Sequence, residues 1–148
     1  HAYVTAHHNG YDENMFLDPA TRTYVEETGG ANFIFIDKEG TLVIPKSASI
    51  LPSVTRRSIA VVAKDILGMK VEERPVKLAE LSDFAECGVC GTAAVVCPVG
   101  KVVDHGREIC FPSGMESMGP VIQKLYDTLT GIQMGKIEGP AGWVHKIM

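Results

Sequence analysis

Apolar and polar positions change period several times along this chain. "ANFIFID" and "TLVIP" are short, almost continuously apolar runs rich in β-branched and aromatic residues. They predict strands. Asp37-Lys38-Glu39-Gly40 between them predicts a hairpin loop containing Gly. Upstream, "NMFLD" and "TYVEE" predict further strands around a "PATRT" turn. In "TRRSIAVVAKDILG" the period lengthens: Ile59, Val62, Ala63 and Ile66 recur at helical spacing, with Gly68 as the stop. "KVEERPV" alternates as a strand closed by Pro75, and "KLAELSDFAE" reads as a short helix or turn. "CGVCGTAAVVCPVGKVV" predicts a strand, a Gly turn and a longer strand, and "REICF" one more. "GPVIQKLYDTLTGIQMG" predicts a helix with Val121, Leu125, Leu129 and Ile132 on one face. "AYVTAHHNG" reads as a helix end stopped by Asn9-Gly10, and the tail "EGPAGWVHKIM" as irregular chain with one Trp to pack. Local strand pairing with two main helices inserted predicts an α+β fold rather than a regular βαβ array. No repeat, low-complexity segment or linker divides the chain.

A length of 148 residues suffices for one domain with a real core. With 45% apolar and 22% charged residues the balance is that of an ordinary globular protein. A net charge of −4 gives no electrostatic footprint for nucleic acid and no polybasic membrane anchor. The longest apolar run is far short of a membrane span. The N-terminus lacks the order of a signal peptide, so the expected location is cytoplasmic, with Cys87, Cys90, Cys97 and Cys110 as reduced thiols. The chain begins at His1 in what reads as the tail of a helix, so it is expected to be a piece of a longer protein.

Three stretches could carry chemistry. Glu26 and Glu27 follow one another on a strand, so they point to opposite faces and one is expected to turn inward. An inward carboxylate needs a partner; otherwise the pair is an exposed acidic step before the Thr28-Gly29-Gly30 loop and Asn32. In "SILPSVTRRSI" a helix begins after a Pro-Ser turn. Ser53 or Thr55 can simply cap it, or its free N–H groups at Val54 and Thr55 can seat a phosphate. Gly91-Thr92-Ala93-Ala94 is either a tight β-turn or a backbone nest for an anion. The Cys87-x-x-Cys90 spacing lacks the second ligand pair of a zinc site, and on a strand its thiols diverge, so no metal site is expected. His7-His8 point in different directions at a helix end and make poor joint ligands.

Taken in order, "GYDENMFLDPATRTYVEETGGANFIF", "ILPSVTRRSIAVVAKDILGMKVEERPV", "GTAAVVCPVGKV" and "LYDTLTGIQMGKIEGPAGW" closely resemble the branched-chain amino acid aminotransferases. The resemblance runs over nearly the whole chain and corresponds to the C-terminal part of that family. It implies a fold type IV large domain, a strand-rich pseudo-barrel, over residues 1–148. It implies pyridoxal 5'-phosphate as cofactor, branched-chain amino acids and 2-oxoglutarate as substrates, and a homodimer. Glu27 then matches the glutamate on the cofactor's pyridine nitrogen, and Asn32 the asparagine beside the ring. Val54 and Thr55 match the backbone seat of the phosphate. Thr92 matches a threonine of the phosphate and substrate-carboxylate region, with Ala93 offering a second amide to that carboxylate.

The chain departs from the family pattern in three places. Ser53 stands where the family has Gly, a strain of about 1 kcal/mol if that position needs positive φ. Ala94 stands where animal members carry the first Cys of a redox pair. The family's Schiff-base lysine and a phosphate-holding arginine of the small domain belong upstream of residue 1, and Lys46 and Lys64 fall in other motifs. No catalytic residue is therefore expected within the chain. By itself it is expected to bind the cofactor weakly or not at all and to be inactive. Two alternatives stand beside this reading: another fold type IV enzyme, such as a D-amino acid aminotransferase or an aminodeoxychorismate lyase, and a non-enzymatic scaffold domain.

Overall fold

The computed structural model describes residues 1–147. Its centre is strand β3 (Asn32–Ile36), buried along its whole length. The sequence "NFIFI" explains this, because successive strand side chains face opposite sides and here both sides are apolar. Ile34 and Ile36 join one cluster with Leu42, Ile44, Ile59 and Leu125. Phe33 and Phe35 join a second with Val25, Val43, Phe84 and Phe111. The sheet is thus a layer between two cores, with the helices on the first.

β3 pairs antiparallel with β6 (Glu86–Gly91) from Asn32↔Cys90 to Ile36↔Glu86. Its other edge is shared. β4 (Leu42–Pro45) takes Phe35 and Ile36, while β2 (Val25–Thr28) meets Asn32 through Glu27. The sheet forks there, and the fork brings β2 and the segment leaving β4 side by side. β1 (Met15–Leu17) extends the β2 wing and β7 (Val95–Pro98) lies beyond β6. β4 runs through α2 (Val54–Val61) to β5 (Val71–Arg74), its parallel neighbour. A single βαβ crossover inside an antiparallel sheet keeps the architecture α+β.

α2 continues into one π-helical segment, Val62–Ile66, before Gly68 ends it at φ 64. α1 (Ala2–His8) buries nothing. α3 (Pro120–Gln133) buries Ile122, Leu125, Leu129 and Ile132; Ile122 rather than Val121 is the deep residue of its first turn. Glu86, only 4% exposed, accepts the Val121 amide at 3.0 Å and the Ile122 amide at 2.8 Å. A carboxylate from β6 thereby caps α3, whose own Gly119 has no side chain to do so.

Two expectations are corrected. The single longer strand expected over "VVCPVGKVV" is two strands in different sheets, because β8 (Lys101–Asp104) leaves to form a hairpin with β9 (Arg107–Cys110). The break falls at Gly100, where an added Cβ would sit 2.7 Å from both the Gly114 carbonyl oxygen and the Met115 Cα. Only a residue without a side chain lets those backbones pass so closely. Trp143 does not pack into the core; it stays 37% exposed beside Val54 and Leu129.

The loop after β1 is built on one carboxylate. Asp18 accepts from the Thr21 amide (2.6 Å) and hydroxyl (2.7 Å), and from the Thr23 (2.7 Å) and Tyr24 (2.8 Å) amides. The Tyr24 amide foremost, then the Thr21 hydroxyl, hold its pKa well below the usual carboxylate range. A folded-state pKa below the unfolded one adds stability that is full above the unfolded value, near 4, and is lost as pH falls. Asp18→Asn is therefore expected to lower the urea midpoint at pH 7. The gap between variant and parent should narrow as pH drops below about 4. A gap that stays constant down to pH 3 would contradict this account.

Candidate functional site

The fork at β3 assembles one rim. Glu27 and Asn32 are direct partners across β2 and β3, and the Asn32 amide nitrogen donates to Glu27 Oε2 at 2.9 Å. The same oxygen accepts the Leu51 backbone N–H at 3.2 Å. Among the described residues Oε1 has no hydrogen-bond partner, so one oxygen is held and the other is available. The Leu51 amide escapes sequence reasoning, since a backbone donor from a distant segment leaves no side-chain pattern. Glu26 is the more buried of the two acids, at 8% exposure, and is held by Ser47 Oγ at 3.0 Å. Both acids therefore have partners, where the sequence led us to expect one inward acid. The Gly30 and Ala31 amides of the following turn are taken by Thr28 Oγ1, so that turn offers them to no ligand.

Three residues after Leu51, α2 begins. Ser53 caps it: the Ser53 hydroxyl accepts the Arg56 amide at 3.1 Å. Ser53 lies at φ −106, in extended backbone, so the strain considered for a non-glycine residue here does not arise. The cap serves the third amide of the helix and leaves the first two. Among the described residues neither the Val54 nor the Thr55 amide donates a hydrogen bond. Capping and anion binding are thus compatible in this turn. Arg56 adds positive charge, and its Nε is buried without an acceptor among the described residues. Leu51 and Val54 are separated by three peptide units, so their Cα atoms lie within about 11 Å.

The third stretch closes the rim. Cys90 pairs with Asn32, and Gly91 lies against the preceding turn, where a Cβ built on it would meet the Gly30 carbonyl oxygen at 3.4 Å. Thr92 and Ala93 follow, both exposed. Arg56 is close enough to Cys90 for its charge to oppose the effect of burial on that thiol. Arg56 of α2 thus lies near β6, and Glu27, Asn32, Val54, Thr55, Thr92 and Ala93 all lie towards the Asn32 end of β3.

Val95 ends the Thr92 turn at φ 59, a left-handed conformation that disfavours a β-branched residue. Its side chain packs against the helix-side core, which holds it there. The usual order of substitutions in a strand should invert at this position. Val95→Gly relieves the strain while Val95→Ala keeps it, so the Gly variant is expected to be more stable than the Ala variant by about 1 kcal/mol. Urea unfolding of the two variants checks the order; Ala above Gly would refute the strain.

The remaining candidates do not join the site. Cys87 lies in the sheet's second core and Cys90 in the first, on opposite faces. Burial pushes the Cys87 thiol well up and the Cys90 thiol to about 12, which suits packing rather than reactivity. His7 and His8 lie in the exposed α1. Among the described residues no cluster of His, Cys, Asp or Glu could hold a metal ion. No helix among them is long and apolar enough to cross a membrane.

Residues 1–102 match the family model described as "Amino-transferase class IV". A branched-chain-amino-acid aminotransferase of Haemophilus influenzae is 47% identical over 137 residues, covering 93% of this chain and 40% of the relative. One from Helicobacter pylori is 42% identical over 146 residues, covering 99% and 42%. Among solved structures, a branched-chain amino acid aminotransferase of Escherichia coli superposes with a TM-score of 0.81 at 32% identity, covering 95% of this chain and 44% of that one. The PLP-form of the Thermobaculum terrenum enzyme gives 0.78 at 32% identity, covering 90% and 41%. The chain spans about two fifths of the length of the curated relatives it matches.

Proposed function

Since the chain belongs to the class IV aminotransferases and has the type IV fold, we propose that it is the C-terminal, cofactor-binding domain of a longer branched-chain amino acid aminotransferase. On this reading it holds pyridoxal 5'-phosphate and serves transfer of an amino group from leucine, isoleucine or valine to 2-oxoglutarate. A cytoplasmic homodimer is the setting this reading implies. The upstream chain supplies the lysine and the phosphate-holding arginine.

The observation that supports it best is the split use of the Glu27 carboxylate beside a helix start with two free amides. A flat cofactor with a basic ring nitrogen at one end and a phosphate at the other suits that donor and acceptor set. When bound, such a cofactor draws electrons from the substrate's α-carbon. The protein's part is to hold and orient. Glu27 Oε1 keeps a proton on the ring nitrogen, while Asn32 and the Leu51 amide fix the carboxylate through Oε2. The Val54 and Thr55 amides and the Thr55 and Thr92 hydroxyls bind the phosphate. The Ala93 amide binds the substrate carboxylate.

Assaying the full-length protein with L-leucine and 2-oxoglutarate tests the reading, with D-alanine as the comparison substrate. Turnover of leucine supports it; turnover of D-alanine alone transfers the site to the D-amino acid aminotransferases, and none of either defeats it. Residues 1–148 by themselves are expected to give no turnover above a control without enzyme.

A further inference from the structure

Glu26 is a buried acid that the proposed chemistry does not use. Among the described residues its one hydrogen bond comes from Ser47, and a buried charge is retained only where it is satisfied. Ser47 does more than that. Its hydroxyl accepts the Ser49 amide at 3.1 Å while donating to Glu26, and its carbonyl accepts the Ile50 amide at 3.4 Å. One residue later the Leu51 amide reaches Glu27. Two adjacent carboxylates on β2 therefore grip the segment between β4 and α2 at two points.

Little else holds that segment. Lys46, Ala48, Ser49 and Pro52 are exposed, and the Leu51 side chain is 70% exposed. Ile50 alone is buried, at 6%. Its path into α2 is thus set mainly by hydrogen bonds to β2, together with the Lys46 amide on the Arg74 carbonyl at 3.0 Å.

We propose that Glu26 and Ser47 form a positioning pair that sets the segment carrying the Leu51 amide onto Glu27 and the Val54 and Thr55 amides into the phosphate seat. This rests on the function proposed above. Glu26 touches neither cofactor nor substrate; it acts through Ser47.

The test uses the full-length protein with Glu26→Ala, Glu26→Gln, Ser47→Ala and the Glu26→Ala/Ser47→Ala double variant. Hydrogen exchange is read over residues 47–57 and over β3, and pyridoxal 5'-phosphate affinity by its absorption band. Losing one hydrogen bond to a charged group is expected to raise exchange in residues 47–57 about tenfold and to weaken the cofactor comparably. β3 should keep its protection. The double variant should lose no more than either single one, and Glu26→Gln, whose amide oxygen still accepts from Ser47, should keep exchange and affinity close to those of the parent. Unchanged exchange in both Ala variants overturns the pair, as does faster exchange with parental affinity. An increase spread equally over β3 also overturns it, since that is general destabilisation. A parent protein that takes up no pyridoxal 5'-phosphate defeats the proposed function instead, and the exchange data still decide the pair's role.

Discussion

Glu27→Gln in the full-length protein is expected to lower kcat for leucine by about 10²–10³-fold, in the range found when one preorganised electrostatic contact is removed from an active site. Gln has nearly the same shape. Its side-chain oxygen can still accept from the Leu51 amide or from Asn32, the two groups that hold Glu27 Oε2. The fork at β3 and the entry into α2 should therefore survive, and stability should change little. What disappears is the negative charge that, in the proposed function, would keep a proton on the cofactor's ring nitrogen. On that reading the charge would count for more in the transition state than in substrate binding, so the loss is expected to fall on the chemical step. A contact made chiefly there lowers kcat and kcat/KM together and leaves KM nearly unchanged. Steady-state kinetics on leucine give both quantities. A fall in kcat of less than about tenfold, or an effect confined to KM, would remove Glu27 from the proposed role.

The parts of this site legible in the sequence are those carried by local pattern. "NFIFI" could only be a strand with apolar surroundings on both sides, and it is the centre of the fold. Thr55 and Val54 stood out because a Pro-Ser turn opens a periodic run, and the helix starts at Val54. The sequence offers Ser53 as a helix cap or the helix start as a phosphate seat. In the structure the two are compatible, since the cap takes the Arg56 amide and leaves the two before it. The rest is non-local. Leu51 reaches an acid 24 residues earlier through its backbone, and Ser47 reaches one 21 residues earlier. The break at Gly100 depends on Gly114 and Met115 packing onto it. Val95 in a left-handed conformation carries no signal, because the residue expected there is glycine.

The cap on α3 gives the largest expected effect on stability. Glu86 accepts two amides of the first helical turn, and one of them belongs to the fully buried Ile122. Glu86→Ala removes both acceptors at once. Leaving buried donors unsatisfied is expected to cost about 2–4 kcal/mol. Glu86→Gln retains one acceptor and should cost less than half of that. Gly119→Ala provides a second approach from outside the carboxylate. A Cβ there would fall in contact with the Glu86 carboxyl carbon, closer than any real Cβ contact, so the carboxylate must swing away from the helix. Gly119 itself lies at φ −63, in a region that alanine adopts freely, so backbone strain would not explain a loss. The two substitutions remove one interaction by different means. Their combined cost should therefore fall well short of the sum of the two, as it does for residues in direct contact. Urea midpoints of the two single variants and the double variant measure this. Additive losses would show that Gly119 and Glu86 stabilise the protein independently and that the carboxylate is not the cap of α3.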